Sequence, residues 1–397
     1  MDQIYEIKIT DIASAGDGIG RIDGLVTFVP GTLPGDIAKI ELTENNGKTA
    51  RGRLLKITEP SADRVPPACP YAGECGGCEL MGLSYEAQLR WKQNQVLQAL
   101  RRIGGIDDPV VRPIIGMEEP QRYRNKAEFR VEGGVPGYYA RGSHRLVPVA
   151  DCLIQSETAM AALRSMDLSR HCVRVVLRTS QRGELMTVFE YDDGNRTSDR
   201  RILEDHISCP DTAFPDGKLK VEISPLSFYQ VNPVQTEKLY AKVREYAALE
   251  GGETVLDLYC GAGSIGLTMA DKARRIIGVE SVRPAVIDAN RNAVINRIVN
   301  AEFLCGKAEE VVPTKLQGIK ADLVILDPPR AGCKPELLKT VAEIAPKKLI
   351  YVSCNPSTLA RDLKILAGYG FGLVEATPVD MFPHTLGIEV VSSLVLR

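Results

Sequence analysis

Three clusters in this 397-residue chain have the residue types and spacing to do chemistry. The first is a thiol, Cys354, in Ser353-Cys354-Asn355-Pro356, directly after the apolar run 348–353. That run reads as a strand, and the C-terminal strand ends of an open α/β sheet are where ligands bind. An isolated cysteine is ordinarily a small inert hydrophobe, so the thiol takes its meaning from its neighbours. The second cluster is Asp327-Pro328-Pro329-Arg330, closing the strand-like run 322–326. A rigid Asp-Pro-Pro turn at that place suits a methyltransferase, which must set donor and acceptor side by side; a dehydrogenase has no comparable use for it. The third is Gly261-Ala262-Gly263-Ser264-Ile265-Gly266, fed by strand 254–258 and followed by a helix to about Ala270. Its glycines let a ligand approach the backbone closely. Glu280 ends the next strand, nineteen residues after Gly261, where a carboxylate can accept from both ribose hydroxyls of an adenosyl cofactor. The glycines alone also fit a nicotinamide site. With the Asp-Pro-Pro turn, residues 251–397 read as an S-adenosylmethionine-dependent methyltransferase.

A strand-end thiol beside a methyl donor has an evident task when the acceptor is a pyrimidine C5, a carbon that is not nucleophilic by itself. Thiolate addition to C6 makes C5 enolate-like and able to attack the sulfonium methyl. A base must then remove the C5 proton so that the thiol can leave. Glu389, after Phe382-Pro383-His384-Thr385 and at the start of the last strand, is the candidate.

A further group, Cys69-x5-Cys75-x2-Cys78, places three thiols within ten residues, interleaved with Gly73, Gly76 and Gly77, and Cys152 lies far downstream. The spacing suits a [4Fe-4S] cluster, and four thiolates also satisfy structural zinc. A radical methyltransferase would use a Cys-x3-Cys-x2-Cys run, which is absent from the sequence. Ten cysteines without a signal-peptide pattern in residues 1–10 point to a reducing compartment, and the cytoplasm is expected. A net charge of −2 means that any nucleic acid must be held by local basic surface.

The elements that must position these groups follow from periodicity. Residues 1–59 alternate short apolar runs with turns such as Asp23-Gly24 and Asn45-Asn46-Gly47, the pattern of a small OB-like barrel. The proline-rich stretch 61–70 is a linker, and 84–103 reads as one long helix that packs on the catalytic domain. Residues 110–225 read mostly as strands. One of them sets Arg122, Arg124, Lys126 and Arg130 opposite Tyr123, Ala127, Phe129 and Val131, a basic face or simply a solvated one. Asn232-Pro233 caps a helix to about Leu249. Strands and helices then alternate into a doubly wound parallel sheet that finishes in an edge hairpin, 371–379 with 388–396. The expectation is a multidomain α/β protein: a barrel at 1–59, a mostly-β central domain at 60–225 and a Rossmann-like methyltransferase domain at 226–397.

Phe228-Tyr229-Gln230-Val231-Asn232-Pro233, Asp257-Leu258-Tyr259-Cys260-Gly261, Asp327-Pro328-Pro329-Arg330, Ser353-Cys354-Asn355-Pro356 and Pro383-His384-Thr385 with Glu389 resemble, in order, the RNA 5-methyluridine methyltransferases. The resemblance covers nearly the whole chain. It implies that residues 1–59 are a TRAM domain, that Cys354 is the nucleophile and Glu389 the proton acceptor. It also implies cofactor contacts from Gln230, Tyr259, Glu280 and Asp327, with Gly261, Gly263, Ser264 and Lys307, and a cluster on Cys69, Cys75, Cys78 and Cys152. Members often carry a histidine two residues before the catalytic glutamate; here that residue is Gly387. The type with barrel and cluster points to 23S rRNA as the substrate, bound by a monomer without membrane attachment. A tRNA uridine, cytosine C5 methylation and an RNA-binding assembly factor with an inactive transferase domain are the competing readings.

Overall fold

The computed structural model describes residues 4–225 and 227–397; residues 1–3 and Leu226, where the first and third expected domains begin, lie outside the described residues. Two compact units are present. One comprises Met1–Arg90, Gly137–Val149 and Pro383–Leu386, and the other Trp91–Pro136, Ala150–Phe382 and Gly387–Arg397. Among the described residues no helix is long and apolar enough to cross a membrane.

In the first unit β1 (Ile4–Ile12), β2 (Gly18–Ile22), β3 (Leu25–Val29), β4 (Ile37–Asn45) and β5 (Thr49–Glu59) close a barrel in the order β1-β2-β3-β5-β4. Alternate residues point inward, and Ile7, Ile9, Val29, Ala38 and Ile40 fill the barrel. Asp36 is fully buried and pins the exit of the barrel: its carboxylate accepts from Leu33 N (2.7 Å) and Ser61 N (2.9 Å) and pairs with Arg64 (2.5 Å). Helix α1 (Tyr85–Arg102) starts in this unit and ends in the other. Beyond it follow β6 (Lys126–Glu132), β7 (Val135–Tyr139) and β8 (Leu146–Pro148), the last two forming a hairpin. Cys75 makes a backbone bridge to Ala140, after that hairpin's first strand.

In the second unit β6 pairs with β9 (Cys172–Thr179), β9 with β10 (Leu185–Tyr191) and β10 with β11 (Arg196–Ser198), all antiparallel. Helix α2 (Glu157–Ser165), capped by Ser156, packs on β9 and interrupts a stretch that reads as strands in the sequence. Ala127, Phe129 and Val131 face inward as expected. Arg122 and Arg124 instead precede β6, because Arg122 turns the chain at φ +53° and pairs with Asp151 at 2.7 Å.

A two-stranded ribbon, β12 (Leu203–Ser208) with β13 (Lys218–Ile223), leads to α3 (Pro233–Ala247), whose cap Asn232 accepts from Gln235 N at 3.2 Å. The remaining elements are β14 (Thr254–Leu258), α4 (Ser264–Leu267), β15 (Arg275–Glu280), α5 (Arg283–Ile295), β16 (Ala301–Cys305), α6 (Ala308–Lys315), β17 (Leu323–Leu326), α7 (Pro335–Ile344), β18 (Lys348–Ser353), α8 (Pro356–Gly368), β19 (Phe371–Val379) and β20 (Glu389–Leu396). They build a seven-stranded sheet in the order β16-β15-β14-β17-β18-β20-β19. The first five are parallel and the terminal hairpin runs against them. Strands buried on both faces need unbroken apolar runs, and Leu323–Leu326 is buried throughout. Val96 and Leu100 of α1 pack into this core with Leu256 and Ile277. Strand order reverses between β14 and β17, so the loops after β14, β15, β17 and β18 share the edge where such sheets hold ligands.

Candidate active site

Antiparallel pairing sets Ser353 of β18 opposite Val390 of β20. Cys354 is one residue beyond Ser353 and Glu389 one before Val390, so the ladder brings thiol and carboxyl together although 35 residues separate them. The turn is sharp because Asn355 caps α8, its side chain accepting from Ser357 N at 3.0 Å, and Pro356 opens the helix. Cys354 is half-buried. Burial, reinforced by Glu389 and Asp327 and opposed by Arg330, pushes its thiol up to about 11. Glu389 is buried and its Oε2 finds no hydrogen-bond partner among the described residues. Burial first and then the Asp327 carboxyl raise its pKa far above the usual range, while Arg330 draws it back. Burial with the nearby Asp257 pushes Asp327 up to about 7. Asp257 is itself fully buried, held at about 7 by burial and by Glu280. Its Oδ2 accepts from Gly266 N at 3.0 Å, while Oδ1 is unpartnered among the described residues. Three carboxyls that disfavour their own charge, two of them buried and Asp327 half-buried, make a site for a cation.

The glycine segment shapes the adjoining cradle. Tyr259 turns at φ +64°, its N–H on Val279 O at 2.9 Å. Gly263 sits at φ +79°, and a Cβ there would come within 2.8 Å of the Phe303 ring, so only glycine fits. Gly261 N donates to Glu280 Oε2 (3.1 Å), and Val282 N to Glu280 Oε1 (2.7 Å), fixing that carboxylate. Helix α4 stops at Leu267, short of Ala270, because Thr268 bonds back to Ile265 O at 2.7 Å through its hydroxyl.

Of the residues expected from sequence, Cys354, Glu389 and Asp327 come together, and Gly261, Gly263 and Glu280 form the neighbouring cradle. Ser264 is buried with its hydroxyl 2.8 Å from the Tyr240 phenol. Gln230 is buried, its carbonyl accepting from Asn125 Nδ2 at 3.0 Å. Tyr259 sends its phenol to the Cys333 thiol, leaving the backbone as its part of the cradle. Lys307 precedes α6 with its ammonium in an exposed pair with Glu310 at 3.4 Å. Asp257 and Arg330 drew no role from the sequence; an acid within the apolar strand Thr254–Leu258 was the available signal for the first. Gly387 lets Phe382 pack on the backbone: a Cβ there would lie 2.8 Å from Phe382 Cδ2. Arg124 stacks over that ring, 5.8 Å from its centroid.

The four thiols expected to hold a cluster are divided between the two compact units. Cys69, Cys75, Cys78 and Cys152 are half-buried and in no disulfide, and among the described residues no three His, Cys, Asp or Glu side chains form a group able to hold a metal. Turns close on two of the loop residues, with Ala72 N donating to Cys69 O and Met81 N to Cys78 O. Cys152 belongs to the other compact unit.

Residues 212–396 match the model of the tRNA (uracil-5-)-methyltransferase family, and residues 2–55 that of the TRAM domain. An uncharacterized RNA methyltransferase of Halalkalibacterium halodurans is 39% identical over 100% of this chain and 98% of its own. The chain belongs to this family. A similar relative from Caldanaerobacter subterraneus, also an uncharacterized RNA methyltransferase, is 40% identical over 98% of this chain and 97% of its own. The crystal structure of Pyrococcus abyssi tRNA (uracil-54, C5)-methyltransferase in complex with S-adenosyl-L-homocysteine resembles it with a TM-score of 0.74 and 28% identity, covering 98% of this chain and 100% of that one. As a family member, this chain is an S-adenosylmethionine-dependent RNA methyltransferase of the uracil-C5 type, with an N-terminal TRAM barrel. The residues present fit the cofactor: a glycine cradle no side chain could share, a fixed Glu280 carboxylate, and buried acids with unpartnered oxygens suited to a sulfonium.

Proposed function

We propose that this enzyme methylates C5 of a uridine in 23S rRNA, with Cys354 as nucleophile and Glu389 as base. The observation that carries the reading is the pairing of Cys354 with Glu389 across β18 and β20, beside Asp327. Glu280 and Asp327, with the backbone of residues 259–264 and Gln230, would hold S-adenosylmethionine, which when bound supplies the electrophilic methyl group. Cys354, as thiolate, adds to C6 and makes C5 the nucleophile. Glu389, kept out of water and raised in pKa, is a stronger base than a solvated carboxylate and takes the C5 proton. The electrons of that C–H bond then expel Cys354 and restore the ring double bond. Asn355 and the β18/β20 ladder hold thiol and base in register throughout.

The barrel with its neighbouring cysteine loop favours rRNA, and the Pyrococcus relative, a tRNA enzyme by name, keeps tRNA as the second reading. Incubation with 23S rRNA fragments and tRNA, each substituted with 5-fluorouridine, should trap a covalent adduct on Cys354 with the true substrate. An adduct formed by Cys354→Ala would refute the assignment. Mass spectrometry of the digested product should show 5-methyluridine and not 5-methylcytidine. The spacing of Cys69, Cys75, Cys78 and Cys152 supports a [4Fe-4S] site in a cytoplasmic protein, with zinc as its competitor. Among the described residues the side chains as placed do not form that site. Iron, sulfide and zinc quantification after anaerobic purification decides between the metals.

A further inference from the structure

The antiparallel sheet β11-β10-β9-β6 carries a charged cleft of about 110 Å³. Its charged lining is Lys126, Arg174, Arg178 and Arg196 against Glu128 and Glu190, an excess of two positive charges. The carboxylates are already engaged: Glu128 with Arg174 (2.8 Å) and Lys126 (3.4 Å), Glu190 with Arg174 and with Arg196 (3.2 Å). Arg178 has no such partner among the described residues. It is only 6% exposed, donates from Nη2 to Ser227 O (2.7 Å), and its Nε has no acceptor among the described residues. Glu128 and Asp288 act on its charge only through space, burial still lowers its pKa, and a buried guanidinium without a contacting counter-ion is costly unless an anion completes it. Register sharpens the point, because Lys126 lies directly opposite Arg178 across β6 and β9. Like charges in that position repel, and an anion between them removes the penalty.

We propose that this cleft binds a phosphodiester of the substrate RNA strand, with Arg178 as its principal ligand. Planar guanidinium groups suit phosphate oxygens, and a cleft with room for about three waters admits one phosphate group. The position is useful: Ser227 leads into Phe228–Asn232, while Asn125, before β6, holds Gln230 O through its side chain (3.0 Å) and Val231 O through its N–H (2.8 Å). A phosphate held here fixes the strand relative to the segment that borders the methyl-transfer site. The inference rests on the proposed RNA substrate and is tested by binding, separately from methylation.

The experiment titrates the full-length protein with transcripts of 23S rRNA fragments and tRNA over a salt series. Arg178→Met should weaken binding roughly tenfold and lower the log K against log salt slope by about 0.7, one single-strand phosphate contact. S-adenosylmethionine affinity should be unchanged. Glu128→Gln, which removes a competing carboxylate, should tighten RNA binding, a gain that damage to the fold cannot mimic. Unchanged affinity and slope in both variants, with folding verified by circular dichroism, would overturn the proposal. A wild type that binds RNA with the Arg178-dependent slope but forms no 5-methyluridine would sink the proposed reaction and leave the phosphate site standing.

Discussion

Alkylation of Cys354 in the free enzyme should be slow at pH 8 and quicken with rising pH. A solvated thiol with a pKa near 9 is about one-tenth thiolate at pH 8, whereas one at about 11 is roughly a thousandth thiolate, a hundredfold deficit. A more basic thiolate is also more nucleophilic, by about tenfold over two pKa units. Reaction with iodoacetamide at pH 8 should therefore be about tenfold slower than for an exposed thiol such as Cys305. Its logarithm should rise with unit slope up to about pH 11. Glu389→Gln removes the largest electrostatic contribution to the shift, so Cys354 should react faster in that variant, and the gap should widen as Glu389 ionises in the wild type. Peptide-level mass spectrometry over a pH series separates Cys354 from the nine other cysteines. A flat profile between pH 7 and 10, or a Glu389→Gln variant that reacts more slowly, would refute the reasoning.

Asp257 is raised to about 7, so its protonated form is favoured by folding: the stability it contributes is complete below pH 4 and lost as pH rises through 7. Asp257→Asn should thus be more stabilising at pH 8 than at pH 5, by on the order of 2–3 kcal/mol in thermal or denaturant unfolding. Gly387→Ala should displace Phe382 and lower kcat between about 10- and 100-fold, with recovery when Phe382→Leu makes room. The Lys92–Asp380 pair is 0% exposed on both sides at 2.5 Å, so Lys92→Met should cost about 3–5 kcal/mol by stranding the Asp380 charge. The double variant with Asp380→Leu should regain most of that loss.

Much of the catalytic half was legible because its signals are local. A strand, a glycine turn and a carboxylate at a fixed interval announce the cradle, and Asn-Pro pairs at 232–233 and 355–356 cap α3 and α8 where they stand in the sequence. Other features depend on partners far along the chain. Lys92 is a cation in a helix rich in polar residues, and nothing near it in sequence tells that Asp380, 288 residues away, buries it. Segments Gly137–Val149 and Pro383–Leu386 join the barrel's unit across long separations, and His384 is held there by Gln88, whose Oε1 accepts its N–H at 2.9 Å. Arg122 and Arg124 share the alternation of β6 on paper, but the left-handed turn at Arg122 takes both out of the strand.

On the proposed reaction the base comes from β20, a strand that follows the glycine turn, the Asp-Pro-Pro corner and the thiol in chain order. That site would be complete only once residues 389–396 pair with β18 on one edge and β19 on the other. Under that reading, correct pairing of the hairpin and assembly of the thiol–carboxyl pair are one event, since a slip of one residue would turn Glu389 to the opposite face.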